Sequence, residues 1–223
     1  MLLVHHLNNS RSQRVLWLLE ELGLPCEVRH HQRDAKTMLA PPALLKVHPL
    51  GKSPVLVDGD TTVAETGAIV EYILDVHGNG RMRPAPGTPE FLRHRYWLHF
   101  AEGSAMPPLL MKLVFDEVQK APMPFFVKPI AKAISNKVLD MLVWPNLKRQ
   151  FDFIEAELGR SAWLAGNDIS GADIMMSFPL EAAKARAGLS AARHPRMVAF
   201  IDRVHARPAY QRALEKGGPY DFA

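Results

Sequence analysis

The segment from residue 48 to residue 74 leaves few folds open to this chain. Val55–Val57 is a short run of β-branched and aliphatic residues, and residues 58–60 (Asp-Gly-Asp) are a turn signal between two apolar runs. These features predict a β-hairpin whose second strand is Thr61–Ala64. Apolar residues then recur at helical spacing from Glu65 onward, so the sequence predicts a helix directly after the hairpin.

Upstream of this segment the pattern is strand, helix, strand. Leu2–His6 is a short apolar run, Arg14–Leu22 is amphipathic, and Glu27–His31 alternates in character. Gly23 is placed to end the helix. A strand, helix, strand unit of this kind predicts a parallel pair joined by a right-handed crossover.

Length and composition place the chain among ordinary globular proteins. Its 223 residues, 48% hydrophobic and 22% charged, suit one large domain or two small ones. No apolar run approaches the roughly 18 residues of a membrane span, and we expect no secretory signal. Because Cys26 is the single cysteine, no internal disulfide can form, and we expect Cys26 to be a buried strand residue. We therefore expect a cytoplasmic location.

Charge is distributed unevenly along the chain. Residues 1–80 contain 7 basic and 9 acidic residues, whereas residues 81–223 contain 20 basic and 14 acidic residues. The basic residues of the second part alternate with acids at helical spacing, which is typical of a solvated helical surface. The pattern therefore argues against nucleic-acid binding, although a mild positive field attracts anionic ligands.

A segment rich in glycine and proline, residues 78–89, marks the best domain boundary. We predict a first domain at 1–80, a linker at 81–88 and a second domain at 89–223, in which every segment reads as helix. The helical stretch 138–158 should be kinked or broken near its proline.

Two further local signals lie outside this boundary, one in the second half of the chain and one at the end of the first strand. Residues 170–173 (Ser-Gly-Ala-Asp) before an apolar run predict a capping box, which has a role in folding. His5 and His6 end the first strand and lack other ligands at metal spacing, so we predict no metal and favour a pair at the surface edge.

Two motifs together resemble the glutathione-binding core of the cytosolic glutathione transferases: residues 51–56 (GKSPVL) and 65–69 (ETGAI). The resemblance implies an α/β thioredoxin-like first domain followed by an all-α domain. It also implies a cis bond before Pro54, where residue statistics alone favour trans. In such a site the Ser53 backbone holds the cysteinyl part of glutathione, and Glu65 and Thr66 hold the γ-glutamyl end, although these two residues can also be a plain helix start. Lys52 can pair with the glycyl carboxylate or be an exposed turn lysine without a role.

Other segments are similar to the fungal glutathione transferase I group and its bacterial relatives. They are residues 10–12, 16–19, 33–35, 40–42, 48–51, 123–125, 151–158 and 170–180. The resemblance implies a homodimer, and an enzyme that conjugates glutathione to small hydrophobic electrophiles in detoxification. The alternatives are a glutathione-dependent peroxidase or reductase and a non-catalytic binding protein of the same fold.

Glutathione transfer requires that the protein favour the thiolate of its co-substrate over the thiol. The polar loop at residues 9–12 is placed for this, since it follows the first strand and opens the first helix. Ser10 is the favoured hydrogen-bond donor, because Ser12 can be explained as a helix N-cap. A spacing count back from Val15 instead selects Asn9, and a backbone amide also stays open.

Arg11 and Arg14 can add positive potential near this loop or belong to a solvated first turn. The electrophile site should be apolar. Met106, Leu110 and Phe115 lie in the right part of the chain for its wall, although each taken singly is more typical of a core.

Overall fold

The computed structural model describes residues 1–222 and begins with a four-stranded mixed sheet. Its strands are β1 (Leu2–Leu7), β2 (Cys26–His31), β3 (Val55–Asp58) and β4 (Thr61–Ala64). The strand order is β2-β1-β3-β4, in which β1 and β2 are parallel and the other two pairs are antiparallel. Asp58 pairs with Thr61 across the tight turn, so the predicted hairpin is confirmed.

The α-helices within residues 1–222 are α1 (Ser12–Leu22), α2 (Thr66–Val76), α3 (Pro89–Phe100), α4 (Met106–Lys120), α5 (Lys128–Val138), α6 (Trp144–Glu157), α7 (Gly171–Arg186), α8 (Pro195–His205) and α9 (Pro208–Gly217). Residues 42–46 add a short 3-10 helix. The sheet packs with α1 and α2, and the elements from α3 onward are helical. The predicted fold class, an α/β thioredoxin-like part followed by an all-α part, is confirmed.

Helix α1 connects the two parallel strands and carries the loop that precedes it into the centre of the molecule. Its apolar face is fully buried, with Trp17 packed edge-on against Tyr210 of α9. Gly23 has φ +64° and ends the helix, because the next amide, that of Leu24, turns back to bond the Leu19 carbonyl at 2.9 Å. At its other end, the helix begins at the end of the loop at residues 9–12, which follows β1.

Two π-helical turns interrupt the long helices of the second half, at residues 101–105 and 139–143. Each ends two residues before a proline, Pro107 or Pro145, which lacks the amide needed for regular α-helical bonding. The predicted break near Pro145 is thus present as a π turn. The turn at residues 101–105 carries Glu102 to the interface between the two parts of the chain.

Helix α7 forms the centre of the helical part and is buried from Gly171 to Ala183. The predicted capping box at its start is confirmed: Ser170 accepts from the Ala172 amide, and Asp173 accepts from the Ser170 amide. Within residues 1–222, no helix combines the length and the apolar character needed to cross a membrane.

Candidate functional site

A cleft of about 310 Å³ lies between the α/β part and the helical part. It is lined by Arg11, His48, Leu50, Lys52, Ser53, Pro54, Ala64, Glu65, Thr66, Glu102 and Leu110. The five residues predicted to bind glutathione (positions 52–54, 65 and 66) therefore lie together in one cleft with the predicted apolar Leu110. The cleft has both cationic and anionic walls, as a zwitterionic ligand requires.

The loop before β3 forms one wall of the cleft. The Ser53–Pro54 bond is cis, as the resemblance implied. The Ser53 hydroxyl donates to the His5 carbonyl at 2.8 Å, which ties the loop to β1. Gly51 has φ +57°, and a Cβ atom there would meet the Leu45 side chain at 2.7 Å, so a side chain at this position would be strained and crowded.

Glu65 stands between β4 and α2 with an unusual backbone, φ +70° and ψ 122°. A positive φ is costly for a residue with a side chain, by about 1–3 kcal/mol, and such residues cluster at ligand sites. The Glu65 carbonyl accepts from the Ile69 amide at 2.9 Å and so begins the helix, while its side chain caps nothing. Glu65 is therefore more than a plain helix start.

Arg11, Arg14 and Glu102 form an ionic cluster on the opposite wall. Arg11 Nε lies 3.0 Å from both carboxylate oxygens of Glu102, and the buried Arg14 contacts the same carboxylate. Burial opposes the charge on Glu102, but Arg14 and Arg11 outweigh it and lower the pKa of Glu102. Two cations thus share one anion, which leaves a net positive charge at this wall.

The two hydroxyl groups of the loop at residues 9–12 are buried and hydrogen-bonded. Ser10 Oγ and Ser12 Oγ are 2.7 Å apart, and Ser12 Oγ also lies 2.9 Å from His6 Nδ1. The Leu7 amide donates to Ser12 Oγ at 3.2 Å. The prediction that Ser12 is the N-cap of α1 is wrong, because Arg11 is at that position and Ser10 Oγ accepts from the first helical amide, that of Ser12, at 3.2 Å.

Neither Ser10 nor Ser12 lines the cleft, and Ser10 is only 5% exposed. Either hydroxyl of this pair can be the donor, so a hydrogen bond from Ser10 to a bound sulfur requires that Ser12 donate to Ser10. Asn9 is bonded to the C-terminal segment, since its side-chain amide donates to Asp221 at 2.7 Å and accepts from the Asp221 amide at 2.9 Å. Arg11 is the residue of this loop that lines the cleft.

The three predicted electrophile-site residues lie at different depths on α4. Leu110 is 52% exposed and lines the cleft, whereas Met106 is buried in the core and Phe115 is half-buried against it. An apolar surface next to the cleft is thus present at Leu110.

The structure corrects two other expectations from the sequence. His5 and His6 are buried rather than at a surface edge. Burial, aided by His30, lowers the pKa of His6 to about 4. Cys26 is half-buried rather than buried, and partial burial raises the pKa of its thiol.

Sequence reasoning missed Glu102 as a residue of the site. The only local signal is an acidic side chain in an otherwise apolar helical region just before a proline. Its partners Arg11 and Arg14 are 91 and 88 residues away in the chain.

Comparison with known proteins gives a consistent result. Residues 1–75 match the family model of the glutathione S-transferase N-terminal domain, and residues 118–208 match that of the C-terminal domain. Glutathione S-transferase 1 of Saccharomyces cerevisiae is 33% identical over 96% of this chain and 94% of its own length. Glutathione S-transferase 3 of Schizosaccharomyces pombe is 36% identical over 97% of this chain and 88% of its own length.

A solved structure of similar shape extends the comparison to three dimensions. A glutathione S-transferase from Actinobacillus pleuropneumoniae has a TM-score of 0.78 and 30% identity, covering 100% of this chain and 95% of its own. The fold, the cleft and these similarities together lead to one conclusion: the chain belongs to the glutathione S-transferase family.

Proposed function

We propose that this transferase binds glutathione in the cleft and conjugates its thiolate to small hydrophobic electrophiles. The observation that carries the proposal is that Lys52, Ser53, Pro54, Glu65 and Thr66 line one cleft together with the exposed Leu110. Glutathione is the co-substrate.

The cleft offers a partner for each polar group of glutathione. Glu65 carries the charge that attracts the γ-glutamyl ammonium, and Thr66 lies beside it at the positive end of α2. Lys52 pairs with the glycyl carboxylate, and the Ser53 backbone bonds the cysteinyl part. The tripeptide is thereby oriented along the cleft, with its sulfur toward the loop at residues 9–12.

The helical part supplies the electrophile site. Leu110 is its exposed apolar surface at the cleft, and Met106 and Phe115 lie behind it on the same helix. The thiolate donor in the loop stays a prediction, with Ser10 first and Ser12 and Asn9 as alternatives. Titration of the bound thiol in alanine variants at these three positions assigns it.

We also infer that the protein is a homodimer in the cytoplasm with a role in detoxification. The division into residues 1–80, a linker at 81–88 and a helical domain at 89–223 belongs to the same proposal. Apolar side chains such as Leu92, Tyr96 and Phe153 are exposed on the helical part and support a partner surface.

Calorimetry with glutathione, followed by one aryl-halide assay and one hydroperoxide assay, tests the proposal. We expect glutathione binding together with conjugation of the aryl halide. Glutathione binding with hydroperoxide reduction alone would identify a peroxidase, and binding without either activity would identify a binding protein. Absence of glutathione binding would overturn the proposal.

A further inference from the structure

We propose that Arg11 binds the ionised sulfur of glutathione and is a catalytic residue of the cleft. The inference rests on the proposed function, because it requires glutathione in this cleft. It goes beyond that function by assigning thiolate stabilisation to a cation in the loop at residues 9–12.

The first argument is position. Arg11 lines the cleft, whereas Ser10 and Ser12 do not, and their hydroxyl groups are hydrogen-bonded to each other. Asn9 is held by Asp221 through two hydrogen bonds. In this arrangement the loop presents the guanidinium of Arg11, rather than a hydroxyl, to a ligand.

The second argument is orientation. Glu102 accepts from Arg11 through Nε, and the guanidinium carbon lies 5.3 Å from the centre of the Phe178 ring. In the part of the chain that the structure describes, residues 1–222, no protein group forms a hydrogen bond with either terminal nitrogen of Arg11. The side chain is therefore anchored at one edge and keeps donors for a ligand at the other.

The third argument is charge. Glu102 does not neutralise Arg11 alone, because it is shared with the buried Arg14. Arg14 is also fixed by a 2.7 Å hydrogen bond to the Met175 carbonyl. The cluster therefore keeps one net positive charge at the cleft wall, and an anion that enters the cleft is attracted there.

Among the groups of glutathione, the sulfur is the anion that lacks another partner. The carboxylates and the ammonium are assigned to Lys52, Thr66 and Glu65, and the Ser53 backbone places the cysteinyl part between the two walls. When the bound thiol ionises, its proton passes to water and the thiolate stays beside the guanidinium. An opposite charge within about 4 to 6 Å of an acidic group lowers the pKa of that group by about 1 to 3 units.

The test is titration of thiolate ultraviolet absorbance with glutathione bound to the wild type, Arg11→Ala and Arg11→Lys. We expect the thiol pKa to rise by about 1 to 2 units in Arg11→Ala. A smaller rise is expected in Arg11→Lys, because lysine keeps the charge without the planar fork. An unchanged pKa in Arg11→Ala overturns the proposal.

Arg33→Ala is the matched control for a general effect of charge. Arg33 lies on the neighbouring loop, where it donates to the Met38 carbonyl, and it does not line the cleft. We expect a clearly smaller change than in Arg11→Ala. An equal change would show that any nearby cation suffices, which overturns direct contact by Arg11.

Binding of S-methylglutathione separates a sulfur contact from a carboxylate contact, since this analogue has no ionisable thiol. If Arg11 serves the thiolate, Arg11→Ala binds the analogue within about threefold of wild type. A loss of about tenfold or more would place Arg11 on a carboxylate and overturn the proposal.

Arg11→Gln keeps the experiment decisive if Arg11→Ala does not fold, because glutamine still donates to Glu102 but carries no charge. We expect the same rise in thiol pKa. Failure of wild type to bind glutathione would overturn the proposed function. Normal binding with a lowered thiol pKa that Arg11→Gln leaves unchanged would overturn only the role of Arg11.

Discussion

At the residue scale, Glu65 combines a strained backbone conformation with a carboxylate that forms no ion pair within residues 1–222. Its φ of +70° is retained although a glycine would relieve it, and its carboxylate faces the cleft rather than capping α2. We propose that a ligand that needs the carboxylate is the reason why a residue with a side chain occupies this strained position.

We expect Glu65→Ala to weaken glutathione binding by about 2 to 4 kcal/mol, as when one partner of a charge-assisted pair is removed. Calorimetry measures the effect. Glu71→Ala is the control, because it removes an acid from α2 that does not line the cleft. Affinity within twofold of wild type in Glu65→Ala would show that Glu65 does not bind glutathione.

Ser12 has more partners to lose than Ser10. Its hydroxyl contacts the Leu7 amide, His6 and Ser10, all of them buried. Ser12→Ala should therefore lower the free energy of unfolding by about 2 kcal/mol, and Ser10→Ala by about 1 kcal/mol. Urea unfolding of both variants checks this, and the reverse order would contradict the hydrogen-bond arrangement.

At the element scale, helix α7 depends on a buried cap. The carboxylate of Asp173, fully buried, accepts from the amides of Leu164 and Ser170 at 2.9 Å each and from the Ser170 hydroxyl at 3.1 Å. The cap thus begins the helix and also joins it to the preceding loop.

Asp173→Ala should destabilise the protein by about 3 kcal/mol, since two buried amides lose their acceptor. Ser170→Ala removes a smaller part of the same cap and should cost about 1 kcal/mol. Urea unfolding compares the two variants. Glutathione affinity of folded Asp173→Ala should match wild type, and a large loss of affinity at unchanged stability would give this residue a role in the site instead.

At the scale of the whole molecule, buried histidines couple stability to pH. Burial lowers the pKa of both His6 and His94 to about 4, from the ordinary 6.5. As pH falls below 6.5 the unfolded chain binds protons that the folded protein does not, so stability falls. Each histidine contributes a loss of about 3 kcal/mol by the time pH reaches 4.

We expect His6→Asn to show a shallower loss of unfolding free energy than wild type between about pH 6.5 and pH 4. Asp173 acts in the opposite direction, because burial raises its pKa to about 6 and the folded protein then binds the extra proton. That contribution is common to both proteins and cancels in the comparison. Equal slopes in urea titrations over this range would contradict a neutral, buried His6.

Several features were predictable from sequence because their causes lie within a few residues. The hairpin at 55–64 depends on its own turn, the end of α1 on Gly23, and the cap of α7 on residues 170–173. Each of the two glutathione motifs is a contiguous stretch of sequence, so the resemblance could be recognised without the structure. The kink near Pro145 was predictable for the same reason, since the missing amide acts within one turn.

Other features depend on partners that are distant in the chain. Glu102 meets Arg11 and Arg14 only when the helical part packs on the sheet part, and Asn9 meets Asp221 across 212 positions. Sequence pattern determined the helices, the strands and the family, because backbone preference and the periodicity of apolar residues depend on neighbouring residues. Tertiary structure alone decided which side chain of the loop faces the cleft, because long-range packing buries the hydroxyls and leaves Arg11 at the cleft wall.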